Sequence, residues 1–246
     1  MRTRALQTHV IPPNERDLFG ILDRYVAELP ERSVLAITSK IVAICEGRVR
    51  PMAGTDKQAL IAEEAERYLP PDPRYGVCLT LKQGLLIATA GIDESNADGW
   101  YVLWPSDAQR SAHAIRAHLA ARHGLTELGV VITDSRSTPI RPGVTGVALA
   151  HSGFLALNDY VGKEDLFGRP LRMTKVNVMD ALAASAVLVM GEGSECTPLA
   201  VIDELPFVSF RASSPTAEEV ARLRIAPEDD LYAPLLTGVA WKTGRS

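Results

Sequence analysis

Three carboxylates in this sequence stand beside turn-forming residues at the ends of apolar segments, where an acid can meet a ligand. They are Asp93 in Gly91-Ile92-Asp93-Glu94-Ser95-Asn96, Asp134 directly after the apolar run 128–133, and Glu192 between Gly191 and Gly193. Behind Asp134 run Ser135-Arg136-Ser137-Thr138-Pro139-Ile140-Arg141-Pro142-Gly143. A carboxylate with neighbouring hydroxyls can hold magnesium, which takes six oxygen ligands, and arginines offer forked donors to phosphate or carboxylate. That combination suits phosphate chemistry better than hydride transfer. A plainer reading stays open at each position: an Asx-type turn accounts for Asp93, Asn96 or Asp134, and a glycine helix cap accounts for Gly191 and Gly193, though not for Glu192 and Glu195.

The elements that must position these acids follow from periodicity. Helical spacing is expected over 14–29 (Leu18, Ile21, Leu22, Tyr25, Val26, Leu29), over 56–69 with Thr55 or Asp56 as cap and Pro70-Pro71 as stop, over 111–123, over the Ala-rich 178–190 and over 216–225. Strands are expected at 33–38, 128–133, 144–150, 171–178, 198–202 and 207–210, with a hairpin joining 77–81 to 84–90. The segment 158–169 is dense in charge and glycine and reads, from charge alone, as a solvated loop. His9, His113, His118, His123 and His151 share no ligand spacing and read as surface residues.

Composition excludes more than it selects. The chain has 246 residues, 46% of them apolar and 23% charged, enough to bury a core of about 70 to 75% of the unfolded surface without disulfide or structural metal. A net charge of −4 argues against a nucleic-acid-binding surface. Cys45, Cys78 and Cys196 are far apart and odd in number, so they read as buried, reduced thiols. No signal-peptide pattern opens the chain, and the longest apolar run is about half of the roughly 20 residues of a membrane span, so no membrane association and a cytoplasmic location are expected. No P-loop, His-Glu-x-x-His or nucleophile elbow is present, and Gly191-Glu192-Gly193 fails the dinucleotide fingerprint at its third glycine.

Six blocks, in order, resemble the coenzyme F420 gamma-glutamyl ligase family, including its bacterial branch associated with folate metabolism. They are Thr38-Ser39-Lys40 with Glu46-Gly47-Arg48, the 91–96 segment, Ile132-Thr133-Asp134-Ser135, Arg141-Pro142-Gly143-Val144, Asp165-Leu166-Phe167-Gly168-Arg169, and Met190-Gly191-Glu192-Gly193. The resemblance covers nearly the whole chain. It implies an α+β (mixed α/β) fold with largely antiparallel sheets and packed helices, residues 1–246 forming a single catalytic unit, either undivided or built of two intimately packed subdomains, and a homodimer. It implies a GTP-dependent ligase that activates a carboxylate as an acyl phosphate for attack by L-glutamate, using Mg2+ or Mn2+, with K+ as a further candidate ion.

By the same resemblance, metal ligation falls to Asp93, Asp134, Ser135 and Glu192. Nucleotide contacts fall to Ser39, Lys40, Asn96, Met190, Gly191, Glu192, Gly193, Ser194, Glu195, Cys196 and Thr197. Catalytic roles fall to Asp134, Lys40 and Arg141, and substrate contacts to Arg136, Lys163 and Arg169. Two departures stand out. The family commonly has a lysine near Ile44, for which Lys40 is the nearest substitute, and Thr-x-Gly-Arg or Thr-Phe-Gly-Arg where this chain has Ser135-Arg136-Ser137-Thr138. The acceptor is expected to be the F420 precursor, with a folate-like or other carboxylate as the alternative. A reading from another class is a GTP-binding protein without turnover.

Overall fold

Two aliphatic, β-branched runs lie side by side as parallel strands, and the rest of the chain is arranged around that pair. A computed structural model describes residues 1–245. In chain order the elements are β1 (Arg2–Leu6), α1 (Leu18–Tyr25), β2 (Ser33–Thr38), α2 (Ser39–Cys45), β3 (Val49–Pro51), α3 (Lys57–Glu64), β4 (Arg67–Tyr68), β5 (Leu79–Lys82), β6 (Leu85–Ala88), a 3-10 turn (Thr89–Gly91), β7 (Trp100–Val102), α4 (Ala108–His123), β8 (Leu128–Thr138), β9 (Arg141–Ser152), β10 (Leu157–Asp159), β11 (Lys175–Asn177), α5 (Val178–Met190), β12 (Leu199–Asp203), α6 (Ala217–Ala221), α7 (Ala233–Leu236) and β13 (Lys242–Thr243).

The central sheet has the order β1-β12-β2-β8-β9, parallel only between β2 and β8. Both its faces are covered, which is why β2 is almost continuously apolar and not alternating. On one face Leu35, Ile37, Val130 and Ile132 pack with Leu22 of α1 and with Ile115 and Leu119 of α4. On the other, Ala36, Val131 and Ala200 pack with Leu182, Ala183 and Ala186 of α5. Gly146 lets α5 lie directly on β9: a Cβ there would come within 2.4 Å of the Ala183 carbonyl oxygen. Smaller sheets, β13-β4-β5-β6, β3-β7 and β10-β11, flank this layer. The result is the mixed α+β, mostly antiparallel architecture expected from the sequence.

Several boundaries differ for identifiable reasons. The first helix begins at Leu18, because the Asp17 side chain accepts the Gly20 N–H at 2.8 Å and caps it there. The helix expected over 56–69 ends after Glu64, because Arg67–Tyr68 pairs with Leu81 and Thr80 and the ladder outweighs helical propensity. The hairpin is seen between β5 and β6, turned by Gln83 and Gly84 at φ of 52° and 77°. Residues 134–138, for which an Asx-type turn at Asp134 stood open as a reading, continue β8 and pair with β9. Phe210 forms only an isolated bridge with Phe154, so the strand expected at 207–210 is absent. The helix over 216–225 shortens to Ala217–Ala221 behind a Thr216–Glu219 capping box, and the strand over 171–178 to Lys175–Asn177. Among the described residues no helix is long and apolar enough to cross a membrane.

Two readings of single residue types are corrected. All three cysteines are free, but only Cys78 is fully buried; Cys45 and Cys196 are half-buried. His151 is not a surface residue: it is 2% exposed, packs against Phe154 at 5.2 Å between ring centroids, and its Nδ1 has no partner.

Burial first, and then the charges of Arg211 and His113 against the opposing Glu219, push the His151 imidazole down to about 4. A folded-state value below the unfolded one of about 6.5 means the unfolded chain takes the proton first, so stability falls as pH drops from about 6.5 towards 4. Thermal melts across that window should show this slope in the parent and a shallower one in His151→Gln; equal slopes would show that His151 is not its source.

Candidate active site

The site begins where β2 and β8 end together. Their register sets Thr38 opposite Thr133, so the residues that follow, Lys40 after β2 and Asp134 along β8, emerge at one edge. The carboxyl ends of neighbouring parallel strands are the usual place for a ligand in such sheets, because the chain diverges there and leaves a crevice. After β2 the chain turns into α2, with the Thr38 hydroxyl accepting the Lys40 N–H at 3.4 Å.

Two turns close the crevice. Thr89, Ala90 and Gly91 all take positive φ, delivering Asp93 into a short extended bridge with Val102, whose two backbone bonds are 2.9 and 2.8 Å. At the end of α5, Gly191 (φ 75°, ψ 173°) reverses the chain. The loop that follows is tied by Glu195, which accepts the Gly193 N–H at 2.8 Å, by the Thr197 hydroxyl on the Met190 carbonyl, and by the Thr8 N–H on the Cys196 carbonyl at 2.8 Å. The Asn96 amide donates to the Gly193 carbonyl at 2.9 Å and joins the two turns. Together these segments wall a cleft of about 760 Å³.

Negative charge dominates the wall. Lys40 Nζ lies 2.6 Å from Asp93 Oδ2 and donates to the Ser95 carbonyl at 2.8 Å. Burial alone would raise Asp93, but the Lys40 ammonium and the Ser95 N–H hold it below the ordinary carboxylate value. Asp134 accepts the Trp104 indole N–H at 2.5 Å and the Ser135 N–H at 2.8 Å, yet burial, reinforced by the charges of Asp93 and Glu192, pushes it up to about 6. Glu192 accepts the Ser135 hydroxyl at 3.3 Å and is also raised, first by burial and then by Asp93 and Glu195.

Every residue that the resemblance assigned to metal or nucleotide lines this cleft: Ser39, Lys40, Asp93, Asn96, Asp134, Ser135 and the whole run from Met190 to Thr197. The residues assigned to substrate, and Arg141 among those assigned catalytic roles, do not. Arg136 lies 4.0 Å from Asp180 of α5, Arg141 is exposed at the start of β9, Lys163 sits 4.7 Å above the Tyr160 ring, and Arg169 belongs to an exposed turn held by Asp165. Ile44 is 1% exposed, packs in the core and also lines the cleft. Sequence reasoning did not single out Trp104, Lys82 or Glu64 at all. Their only sequence signal is a lysine inside an otherwise apolar hairpin. Of the Glu46-Gly47-Arg48 block, Glu46 accepts from Ser106 and Ser111 and Arg48 pairs with Glu64 at 2.7 Å, so both charges serve to fix neighbouring segments.

The model of the family described as F420-0:Gamma-glutamyl ligase matches residues 6–204. The chain belongs to that family. Among its relatives, the Coenzyme F420:L-glutamate ligase of Methanopyrus kandleri is 38% identical over 193 residues, covering 71% of this chain and 76% of that protein. A Coenzyme F420:L-glutamate ligase of Methanococcus maripaludis is 36% identical over 250 residues, 94% of this chain and 97% of its own length. As a member of the F420-0:gamma-glutamyl ligase family the chain is an enzyme, a ligase forming gamma-glutamyl bonds.

Among the described residues of this family member, no three His, Cys, Asp or Glu side chains converge as a ready metal cluster. Asp93 is engaged by Lys40, Asp134 by Trp104 and Glu192 by Ser135. The donor set itself fits a hard divalent cation: three carboxylates and a hydroxyl on one wall, with charge that a single lysine does not offset. Lys40 is the cation that Asp93 faces here. In Lys40→Met, Asp93 should titrate above its value in the parent, because burial is then opposed only by the Ser95 hydrogen bonds; carbon-13 NMR of the carboxyl would read the rise, and an unmoved titration would show that the contact carries no charge stabilisation.

Proposed function

We propose that this chain is a GTP-dependent ligase joining L-glutamate to a carboxylate acceptor through a gamma-glutamyl amide, and that the acceptor is the F420 precursor. The observation that carries the reading is the cleft itself, where the paired ends of β2 and β8 set Lys40, Asp93, Asp134, Ser135 and Glu192 beside a glycine-flanked loop. The names of the relatives supply the acceptor.

In the proposed reaction an acceptor carboxylate oxygen attacks the γ-phosphorus of GTP, the bond to GDP breaks, and an acyl phosphate forms. The amino group of L-glutamate then attacks the acyl carbon, phosphate departs with the bonding pair, and the new amide sheds a proton. No side-chain nucleophile is needed. Lys40 places its ammonium where phosphate charge accumulates, and the turn at Gly191 and Gly193 exposes backbone to the nucleotide. Asp93, Asp134, Ser135 and Glu192 would hold Mg2+ or Mn2+, with K+ as a further candidate; such ions, when bound, supply charge to offset that developing on the phosphate oxygens.

Arg136, Lys163 and Arg169, expected to contact substrate, and Arg141, expected to be catalytic, lie outside the cleft of one chain. This supports a homodimer, as do the exposed apolar side chains beside them: Ile140, Val144, Leu166, Phe167 and Met173. The altered segment after Asp134 keeps a folate-like acceptor as a second reading, since Arg136 turns towards Asp180. Ile44, a buried apolar residue lining a cleft whose wall has Lys40 as its lysine or arginine among the described residues, keeps a GTP-binding protein without turnover as a third.

Asp134→Asn should abolish glutamate-dependent release of GDP while circular dichroism stays that of the parent; unchanged turnover would sink the metal assignment. Tight GTP binding by calorimetry without any GDP release in the parent would favour the third reading. In sedimentation the parent should run as a dimer and Phe167→Asp as a monomer, whereas a monomeric parent would remove the homodimer.

A further inference from the structure

Trp104 is 1% exposed, and its indole N–H points at the Oδ2 of Asp134, 2.5 Å away. A buried tryptophan usually finds some acceptor for its N–H, so the bond alone says little. The surroundings say more. Gly91, at φ 70°, is cut away against the ring: a Cβ there would lie 2.0 Å from Nε1, so the residue type at 91 decides whether the indole can occupy its place. On the ring stands Lys82, its Nζ 5.2 Å from the centroid and itself fixed by Glu64 at 2.8 Å and the Ala90 carbonyl at 3.2 Å.

Glu64 in turn receives Arg48 on both oxygens at 2.7 Å, and Arg48 Nε donates to the backbone carbonyl of Trp104 at 3.1 Å. The chain of contacts therefore closes on itself, from the Trp104 carbonyl through Arg48, Glu64 and Lys82 back to the Trp104 ring. A side chain held at its backbone, at its ring and at its N–H has one orientation. Its single polar atom is spent on a carboxylate of the cleft wall. With the Ser135 N–H on Oδ1 at 2.8 Å, each Asp134 oxygen receives one donor and keeps lone pairs for another partner.

We propose that Trp104 is a positioning residue that, seated against Gly91 and braced by Arg48, Glu64 and Lys82, orients the Asp134 carboxylate towards a divalent cation in the cleft. This rests on the reading of Asp134 as a metal ligand. Hydrogen-bond partners of ligands typically matter about 10- to 100-fold in metal affinity when removed.

The test is binding of Mn2+ alone to the full chain, followed by the electron paramagnetic resonance of the free ion. Trp104→Phe, which keeps a ring and loses the N–H, should bind Mn2+ about tenfold more weakly while its circular dichroism matches the parent. Unchanged Mn2+ affinity in that folded variant overturns the proposal. Asp134→Asn separates the two ideas: if it too leaves Mn2+ binding unchanged, the metal reading itself fails, whereas loss of binding in Asp134→Asn with none in Trp104→Phe removes the positioning role alone. Should Trp104→Phe not fold, the indole N–H resonance of Trp104 decides, observed in nitrogen-15-labelled protein with Trp100→Phe and Trp241→Phe. It should shift on addition of Mg2+, and a resonance that stays still overturns the proposal.

Discussion

Parallel pairing of β2 with β8 forces two distant stretches of sequence to finish at one level, and the cleft exists because they then part. β2 leaves into α2, while β8 runs on beside β9. Lys40 and Asp134 are almost a hundred positions apart in sequence, and a backbone ladder, not a side-chain contact, makes them neighbours. The covering helices follow from the same pairing: strands that are apolar on both faces need α1 and α4 on one side and α5 on the other. α5 then ends where the third acid is required, so the same helix that seals the core also delivers Glu192 to the cleft.

Charge explains why this arrangement stays together without closing up. Three carboxylates facing one space repel, and burial of Asp134 deepens the cost of its ionised form. Lys40 offsets Asp93, hydroxyl and indole donors offset the others, and the remainder is left as an excess of negative potential. An acidic protein of net charge −4 and an anionic nucleotide are compatible under those conditions, provided that cations lie between them.

The long, strongly patterned elements were legible in the sequence. The strand at 33–38 and the helix at 178–190 have the expected bounds, since a short, mostly aliphatic run and an Ala-rich run between a cap and a glycine leave little choice. The three acids were legible as well, because each follows an apolar run and precedes turn chemistry. What escaped was decided by long-range contact. Residues 134–138 look like a turn until β9 is there to pair with them. Arg67–Tyr68 looks helical until β5 claims it. Trp104, Lys82 and Glu64 gave no sign of belonging to a site, because a closed circuit of contacts has no signature in local spacing.

The ladder between β8 and β9 is irregular at two points, between Ile132 and Thr133, where Leu149 is the extra residue, and between Ser137 and Thr138. An extra residue pins register, because slipping past it would turn every side chain beyond it to the opposite face. The long hairpin is therefore three stretches with separate phase, and Asp134 belongs to the middle one, 133–137. The innermost stretch is held to the core beside Leu149, the middle one still buries Val147 and Ala148, and the tip is exposed at Ile140. Changes of length or sequence at the tip meet the irregularity at Ser137 and Thr138 before they reach Asp134, so they can reshape whatever the tip meets while the carboxylate keeps its aim.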